Sequence, residues 1–572
     1  MLGSSFVKSS FFFLTVTFFE NFVNVFRIFA RSSSVKIGLD SSPFFDLSMS
    51  ESLKAICQRF KRGVAKVTCS AIEIDVNQPY VTNSNTDEEV CGSAFFVPSQ
   101  YLYLPKNDGS KRYLVTNAHV IDGCPTLRVA LTFPELGKCK MWAKVILACQ
   151  PLDFAILEVD AIYNEHLEME IGRTFAEIMK GIPPVKPRKK IVDTTKEVSY
   201  EATGIGFPLA SEDCHISSGK ISGRHAHYLQ VNASINGGNS GGPLFDSKGH
   251  LIGVCAASFD ESEGITLAIP WHDIDKMLCH YWDTESLTLQ CPNLGIATEK
   301  LIDSYANVKL KNSNVKGALV TKVFQSSILS SKNLKATNVI CSIGDGSHEF
   351  DIDRNGLVNL KHQLDKVKFS SLNVLLLLDP DTTFIRIYDG RRKRTINFKL
   401  EIQTNILRNC MPVLEKIECF IFGGVVFCQF YNNHIEDLED EALDPGIVQF
   451  LSESKGSEPA VVITGFRLPS SIMQQGYNLK KLTVLKKVNN KKVATIAEAK
   501  KILVKLVSDY AQKREKRYVS MDIGGSCKKT IYVDLKLAFE LEPLLYCTPG
   551  YSRDHSIIQI KSNTSKRSRK EI

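Results

Sequence analysis

Ala233-Ser-Ile-Asn-Gly-Gly-Asn-Ser-Gly-Gly-Pro-Leu244 is the stretch on which the reading of this chain turns. Gly238, Gly241 and Gly242 surround Ser240, and glycines on both sides of one serine let the backbone turn sharply and aim main-chain amides at a reacting oxygen. Ser240 is therefore a candidate nucleophile. The amides of Gly238 and Ser240 are the candidate oxyanion donors, and Asn239 shapes the loop. A serine hydroxyl is a weak nucleophile near neutral pH, so a base and an orienter for that base must be found elsewhere.

Tyr113-Leu-Val-Thr-Asn-Ala-His119-Val-Ile reads as a short apolar strand that delivers one histidine at its exit. Asp153-Phe-Ala-Ile-Leu-Glu-Val159 begins with an acid and continues as a buried strand, a place for a carboxylate with restricted access to water. His119, Asp153 and Ser240 follow one another in the order of a chymotrypsin-type double barrel, which differs from the orders of subtilisin-like and α/β-hydrolase enzymes. In that arrangement His119 takes the Ser240 proton during attack on a carbonyl. Asp153 fixes the imidazole tautomer and stabilises the imidazolium.

Thr116-Asn-Ala-His-Val120, Asp153-Phe-Ala-Ile-Leu157 and the glycine-serine stretch together resemble the HtrA/Deg serine proteases. Weaker matches follow in the same order: Cys91-Gly-Ser-Ala-Phe-Phe-Val97, Gly204-Ile-Gly-Phe-Pro-Leu209, Ser218-Gly-Lys-Ile-Ser-Gly223 and Gly264-Ile-Thr-Leu-Ala-Ile-Pro270. Two positions depart from the family pattern. Ala94 stands where a glycine is usual, and Gly237 where proline is common, which should loosen the resting loop until substrate or a neighbouring subunit orders it. The resemblance implies an ATP-independent serine endopeptidase acting on unfolded or damaged polypeptides, assembled as a trimer or a multiple of three. The alternative is a chaperone or binding protein on a protease scaffold with little cleavage. Ser234 and Ile235 are candidate substrate-binding residues with Cys255-Ala-Ala-Ser258 facing them, and without a carboxylate there small or medium apolar side chains are the expected preference.

At 572 residues the chain exceeds one core, and about 100 to 200 residues per domain allows three or four units. Its 44% apolar content is enough to fill them, and the net charge of +8 is concentrated in Lys186-Pro-Arg-Lys-Lys190 and Lys566-Arg-Ser-Arg-Lys570. Both runs read as solvated segments, and no nucleic-acid partner is expected. The 16 cysteines include no C-x-x-C pair, so buried free thiols in an intracellular reducing compartment (cytoplasm, nucleus or organelle matrix) are expected, with no metal and no cofactor. In residues 1–48, Glu20, Asn21 and Asn24 interrupt the phenylalanine-rich run, so no stable membrane span is expected. That segment is either a targeting peptide or an extension ahead of a start at Met49.

The fold expected is mainly β with α/β modules. Its parts are the N-terminal segment 1–48, a chymotrypsin-like double β-barrel at 49–285, a PDZ domain at 290–402, a PDZ-like domain at 410–548 and a basic tail at 549–572. The first module rests on strands at Gly317–Val323 and Asn338–Ile343, a helix from Gly356 to Leu364 and a closing strand at Val374–Leu378. Leu294, Gly295 and Ile296 are its candidate peptide-carboxylate loop, implied by the PDZ resemblance. The second module rests on Ile421-Phe-Gly-Gly-Val-Val-Phe427, which resembles plant-type Deg proteases, on Leu482–Val493, and on a helix from Ala497 to Val507. Subunit packing is the role expected of it. The insertion at 160–200 is expected to gate the site, to contact neighbours, or to act as a disordered spacer.

Overall fold

Val64–Ala71 (β1) buries Ala65, Val67 and Cys69 and turns the residues between them outward, the period of a strand with one face on a core. It begins a six-stranded closed barrel with Glu88–Val97 (β2), Lys111–Thr116 (β3), Arg128–Phe133 (β4), Cys139–Cys149 (β5) and Phe154–Asp160 (β6), in the order β1-β2-β3-β6-β5-β4. A second barrel follows from Glu201–Gly206 (β8), His215–His225 (β9), Tyr228–Asn232 (β10), Pro243–Asp246 (β11), His250–Ser258 (β12) and Thr266–Pro270 (β13). Its order is β8-β9-β10-β13-β12-β11, closed by the pairing of β11 with β12. The second order repeats the first, strand for strand. Closure leaves neither barrel with an open edge, and the pair forms the expected chymotrypsin-like double barrel.

The structure is a computed structural model that describes residue 55 and, between 58 and 558, all residues except 73, 80–87, 106–110, 135–138, 161–174, 234–237, 259–264, 325–326, 404–406, 437–446, 448–458, 478, 513–516, 525–528 and 547–552. The expectations for segment 1–48 and for the basic run at 566–570 lie outside the described residues.

The two barrels share one apolar cluster. Phe95, Phe154 and Ile156 from the first meet Ile205, Phe207, Phe245 and Val254 from the second, and Trp271, Ile274 and Met277 of the helix Trp271–Tyr281 close over them. Phe60 stacks on Phe245 with ring centroids 4.6 Å apart. Interiors this dense transmit a shift in one wall to the other.

The described part of the insertion is folded onto this body. Lys186–Pro187 (β7) pairs in parallel with His250 and Leu251. Arg188 then grips Glu197 through two hydrogen bonds of 2.6 Å. The basic run at 186–190 is therefore partly structural, because Arg188 is spent on an internal pair. Thr194 reaches the first C-terminal module, donating from its amide to the His362 carbonyl at 2.9 Å.

In that module Ile296–Lys300, Ala318–Val323, Val339–Gly344, Phe384–Tyr388 and Lys393–Asn397 form an antiparallel sheet in this order, with Glu349–Asp351 added to the third strand. Two expected elements are corrected. From Gly356 the chain makes no helix: Leu357–Val358 pairs with Val367–Lys368. Asp353 Oδ1 accepts from the amides of Asn355 and Leu357, Gly356 takes φ +78°, and burial alternates at Val358 and Leu360 with period two. The apolar run at 374–378 is not the closing strand. Leu372–Leu375 is a helical turn whose Val374 and Leu375 amides bond the Ser371 carbonyl, and a short run buried on all sides has no periodicity to distinguish the two.

The last module is a sheet in the order Cys419–Phe422, Val425–Gln429, Val461–Phe466, Thr483–Val488, Tyr518–Ile523, Lys529–Asp534, with Lys491–Lys492 as a hairpin return. Gly423 and Gly424 take φ +59° and +80°, the two positive φ angles of a tight hairpin turn. Thr495 and Glu498 form a capping box at the start of the helix Ile496–Ala511, which buries Ile496, Ala499, Leu503 and Val507. Met411, at the entry to this module, packs into the core of the first barrel. None of the helices among the described residues is long and apolar enough to cross a membrane, and the twelve cysteines whose side chains are described are free thiols.

Because Phe245 is fully buried where the barrels meet, Phe245→Ala should lower unfolding stability by about 3–5 kcal/mol. Urea unfolding followed by tryptophan fluorescence checks this as a fall in the midpoint at unchanged slope.

Candidate active site

Strand pairing brings the histidine to the acid. β3 and β6 run antiparallel with Thr116 opposite Ala155, so the residues just past the end of β3 face those just before the start of β6. His119 lies in the helical turn Ala118–Ile121, and Asp153 lies immediately ahead of Phe154. The His119 amide donates to Asp153 Oδ1 at 3.0 Å and Nδ1 lies 2.8 Å from Oδ2. This holds the Nδ1–H tautomer and leaves Nε2 with a lone pair. Asn117, fully buried, donates from Nδ2 to the Asp153 carbonyl at 2.7 Å. Asp153 has φ 55° and ψ 45°, a left-handed conformation that non-glycine residues adopt at a cost of order 1–3 kcal/mol.

The environment sets the base strength of His119. Its largest influence is burial, which lowers the pKa, but the Asp153 charge, the Asp153 hydrogen bond and the more distant Asp122 charge together outweigh it, so the net shift is upward from the ordinary 6.5. About a third of the imidazole remains open to the cleft, against 7% of the Asp153 side chain. Tyr228 stands near the same carboxylate: its phenol is pushed upward first by burial and then by the Asp153 charge.

Ser240 comes from the second barrel, in the connection between β10 and β11. This is the topological counterpart of the connection between β3 and β4 that carries His119. Gly238 and Gly241 take φ +96° and +87°. A Cβ on Gly241 would lie 2.1 Å from the Ser93 carbonyl oxygen and 3.1 Å from the Asn117 nitrogen, so the serine loop presses against the chain that leads into His119. The Gly241 amide donates to the Cys255 carbonyl at 2.8 Å, and the Cys255 amide donates back to Gly242 at 2.9 Å.

The Ser240 hydroxyl donates to the Ala256 carbonyl at 2.8 Å. The β12–β13 register shifts between Cys255 and Ala257, so the bulged Ala256 is the residue whose carbonyl meets the hydroxyl. Among the described residues no hydrogen bond joins Ser240 Oγ to His119.

Ser234, Ile235 and Gly237 lie outside the described residues. Cys255 and Ala256 are buried with no acid among them, and Ala94 is fully buried opposite Ala65. In the first C-terminal module Leu294 is buried and Ile296 opens the edge strand. The Gly295 amide already donates to Asn293 Oδ1 at 2.9 Å, and a Cβ on Gly295 would lie 2.5 Å from Gln403 Oε1. Four participants carry no role in the sequence reading: Ser93, Asn117, Tyr228 and the Ala256 carbonyl. Ser93 and Asn117 sit inside the quoted motifs, so their positions were visible although their partners were not.

Residues 92–254 match the trypsin-like peptidase domain. Protease Do-like 2, chloroplastic, of Arabidopsis thaliana is 27% identical over 298 residues, which is 50% of this chain and 43% of that protein. Serine protease Do-like HtrA of Lactococcus lactis subsp. lactis is 26% identical over 325 residues, 54% of this chain and 71% of that protein. Among solved structures, the HtrA-type protease AlgW with decapeptide aligns at 19% identity and a TM-score of 0.41, covering 60% of this chain and 97% of that one.

Gly241→Ala should disturb the serine loop, since the position requires a positive φ and an added Cβ would collide with the Ser93 carbonyl and the Thr116 hydroxyl. A loss of about 1–3 kcal/mol is expected, read as a lower thermal midpoint.

Proposed function

We propose that this chain, which carries a trypsin-like peptidase domain and belongs with the HtrA/Do-like serine proteases, is an ATP-independent endopeptidase that hydrolyses unfolded or damaged polypeptides through His119, Asp153 and Ser240. The observation that carries this reading is the two-bond contact between His119 and Asp153, with the glycine-flanked Ser240 in the equivalent connection of the second barrel. A histidine held by both carboxylate oxygens has a fixed tautomer and a free Nε2 facing the cleft, which is what a general base requires.

In the reaction the Ser240 hydroxyl leaves the Ala256 carbonyl, donates its proton to His119 Nε2 and attacks the substrate carbonyl carbon. The Gly238 and Ser240 amides receive the oxyanion. His119, now an imidazolium beside Asp153, protonates the leaving amine, and water then releases the acyl group by the reverse proton path. Loss of one oxyanion donor in such sites costs about 2.7–4 kcal/mol of barrier. The apolar surroundings of Cys255 and Ala256 suit small or medium apolar side chains at the cleaved position. In the domain division 49–285, 290–402 and 410–548, the protease unit does the chemistry. The first C-terminal module takes peptide by strand addition at Ile296–Lys300, and the second serves assembly into a trimer or a multiple of three.

Casein digestion by wild type and Ser240→Ala tests the reading: fragments should appear with wild type only, and equal loss of substrate in both would remove it. Asp153→Asn should reduce turnover by about 10⁴-fold.

The pH dependence follows from the sign of the His119 shift. Neutral His119 is the active form, so kcat/KM should fall as pH drops through a midpoint above 6.5. In Asp153→Asn the Asp153 charge is gone while burial and the smaller Asp122 influence remain, so the midpoint of the residual activity should move down. A pH–rate profile of both proteins reads the two midpoints.

A further inference from the structure

Ser93 is fully buried in the middle of β2, a strand of the first barrel, and every polar atom it has is engaged by another segment. Its hydroxyl donates to the Gly238 carbonyl at 2.7 Å and accepts the Phe207 amide at 3.0 Å. Its amide donates to the Ser240 carbonyl at 2.8 Å, and its carbonyl accepts the Thr116 hydroxyl at 2.7 Å. One residue thus ties together the serine loop, the strand exit at Phe207 and the strand that leads to His119.

The consequence lies in the peptide planes. In a trans peptide the C=O and the N–H point in opposite directions. Ser93 Oγ–H fixes the plane between Gly238 and Asn239, and Ser93 N–H fixes the plane between Ser240 and Gly241. The plane between them carries the Ser240 N–H, and its Asn239 carbonyl is directed to the Gly242 amide at 2.9 Å. With both flanking planes anchored and the middle carbonyl turned to Gly242, the Ser240 N–H is aimed the other way, toward the oxyanion position. The anchor is tightly seated, since a Cβ on Gly206 would lie 2.7 Å from Ser93 Oγ.

We propose that Ser93 is a positioning residue for acyl transfer: its side-chain hydroxyl, acting across the barrel interface, holds the Gly238–Ser240 backbone so that the Ser240 amide points at the developing oxyanion. The proposal rests on Ser240 being the nucleophile. It extends that reading to a first-barrel residue that touches no substrate. The hydroxyl's two bonds hold backbone groups that lie far from it in sequence, so its loss frees the loop while leaving the β2 pairings in place.

The test measures fluorophosphonate labelling of wild type, Ser93→Ala and Ser93→Cys over a range of probe concentrations, together with amide hydrogen exchange of peptides covering 238–246. Misplacement of a reacting group by about 1 Å can cost about 10²-fold. Ser93→Ala should accordingly lose roughly 10- to 100-fold in maximal labelling rate while the half-saturating probe concentration stays within about twofold, a split that general loss of folded protein would not give. Ser93→Cys, nearly equal in volume and with a weak S–H donor, should fall between the two, and it carries the same comparison if Ser93→Ala does not fold. Exchange at 238–246 should quicken in Ser93→Ala and stay unchanged in the β4 peptide. Wild-type labelling and exchange in both variants would overturn the proposal. If wild type itself is not labelled at Ser240, the nucleophile assignment fails, and the exchange arm alone then decides whether Ser93 anchors the loop.

Discussion

The pairing of β3 with β6 is the constraint on which the site depends. Thr116 opposite Ala155 is one rung of an antiparallel ladder, and it determines that the chain leaving one strand and the chain entering the other meet at the rim of the barrel. A slip of one residue would turn every side chain of β6 to the opposite face, putting the buried Phe154 and Ile156 where Ala155 and Leu157 now stand. The apolar contents of the first barrel therefore enforce the register, and the register places His119 on both oxygens of Asp153. The site is a by-product of core packing, which is why a polar pair can sit at a cleft without its own dedicated scaffold.

The second barrel repeats the strand order of the first, and the repeat puts His119 and Ser240 in equivalent connections of the two barrels. Both lie in the connection after the third strand of their barrel, and a shared cluster of Phe95, Phe154, Phe207 and Phe245 joins the two barrels. What the packing leaves adjustable is small. The Ser240 hydroxyl sits on the Ala256 carbonyl, and the proposed reaction requires it to turn to His119 instead. The energetic difference between two neutral acceptors is of the order of a hydrogen bond, about 0.5–1.5 kcal/mol, so the geometry can respond to an occupied cleft without movement of the barrels.

Much of this was legible in the sequence, for a physical reason. Positions that combine a positive φ with a close backbone approach require glycine, so Gly238 and Gly241 announce the serine loop, and strands buried on one face announce themselves by alternation. Contacts between distant segments leave no such trace: Ser93 is 145 positions from Gly238, and nothing about Gly-Ser-Ala states what the serine holds. The first C-terminal module was misread where local rules conflict. The run after Gly356 has a helix-like composition, but the Asp353 carboxylate captures two amides and turns the chain into a hairpin. The leucines at 375–378 have no polar partner positions to reveal a period. At Leu294-Gly-Ile296, the candidate carboxylate loop, the sequence does not reveal that the Gly295 amide is taken by Asn293 Oδ1.

The most direct test of the account is a crystal structure of the protein with a peptide boronate. The account predicts a covalent bond from boron to Ser240 Oγ, with the hydroxyl turned away from the Ala256 carbonyl, one boronate oxygen within hydrogen-bond distance of the Ser240 and Gly238 amides, and His119 still on Asp153. An inhibitor bound elsewhere, with Ser240 unmodified on Ala256, would contradict it.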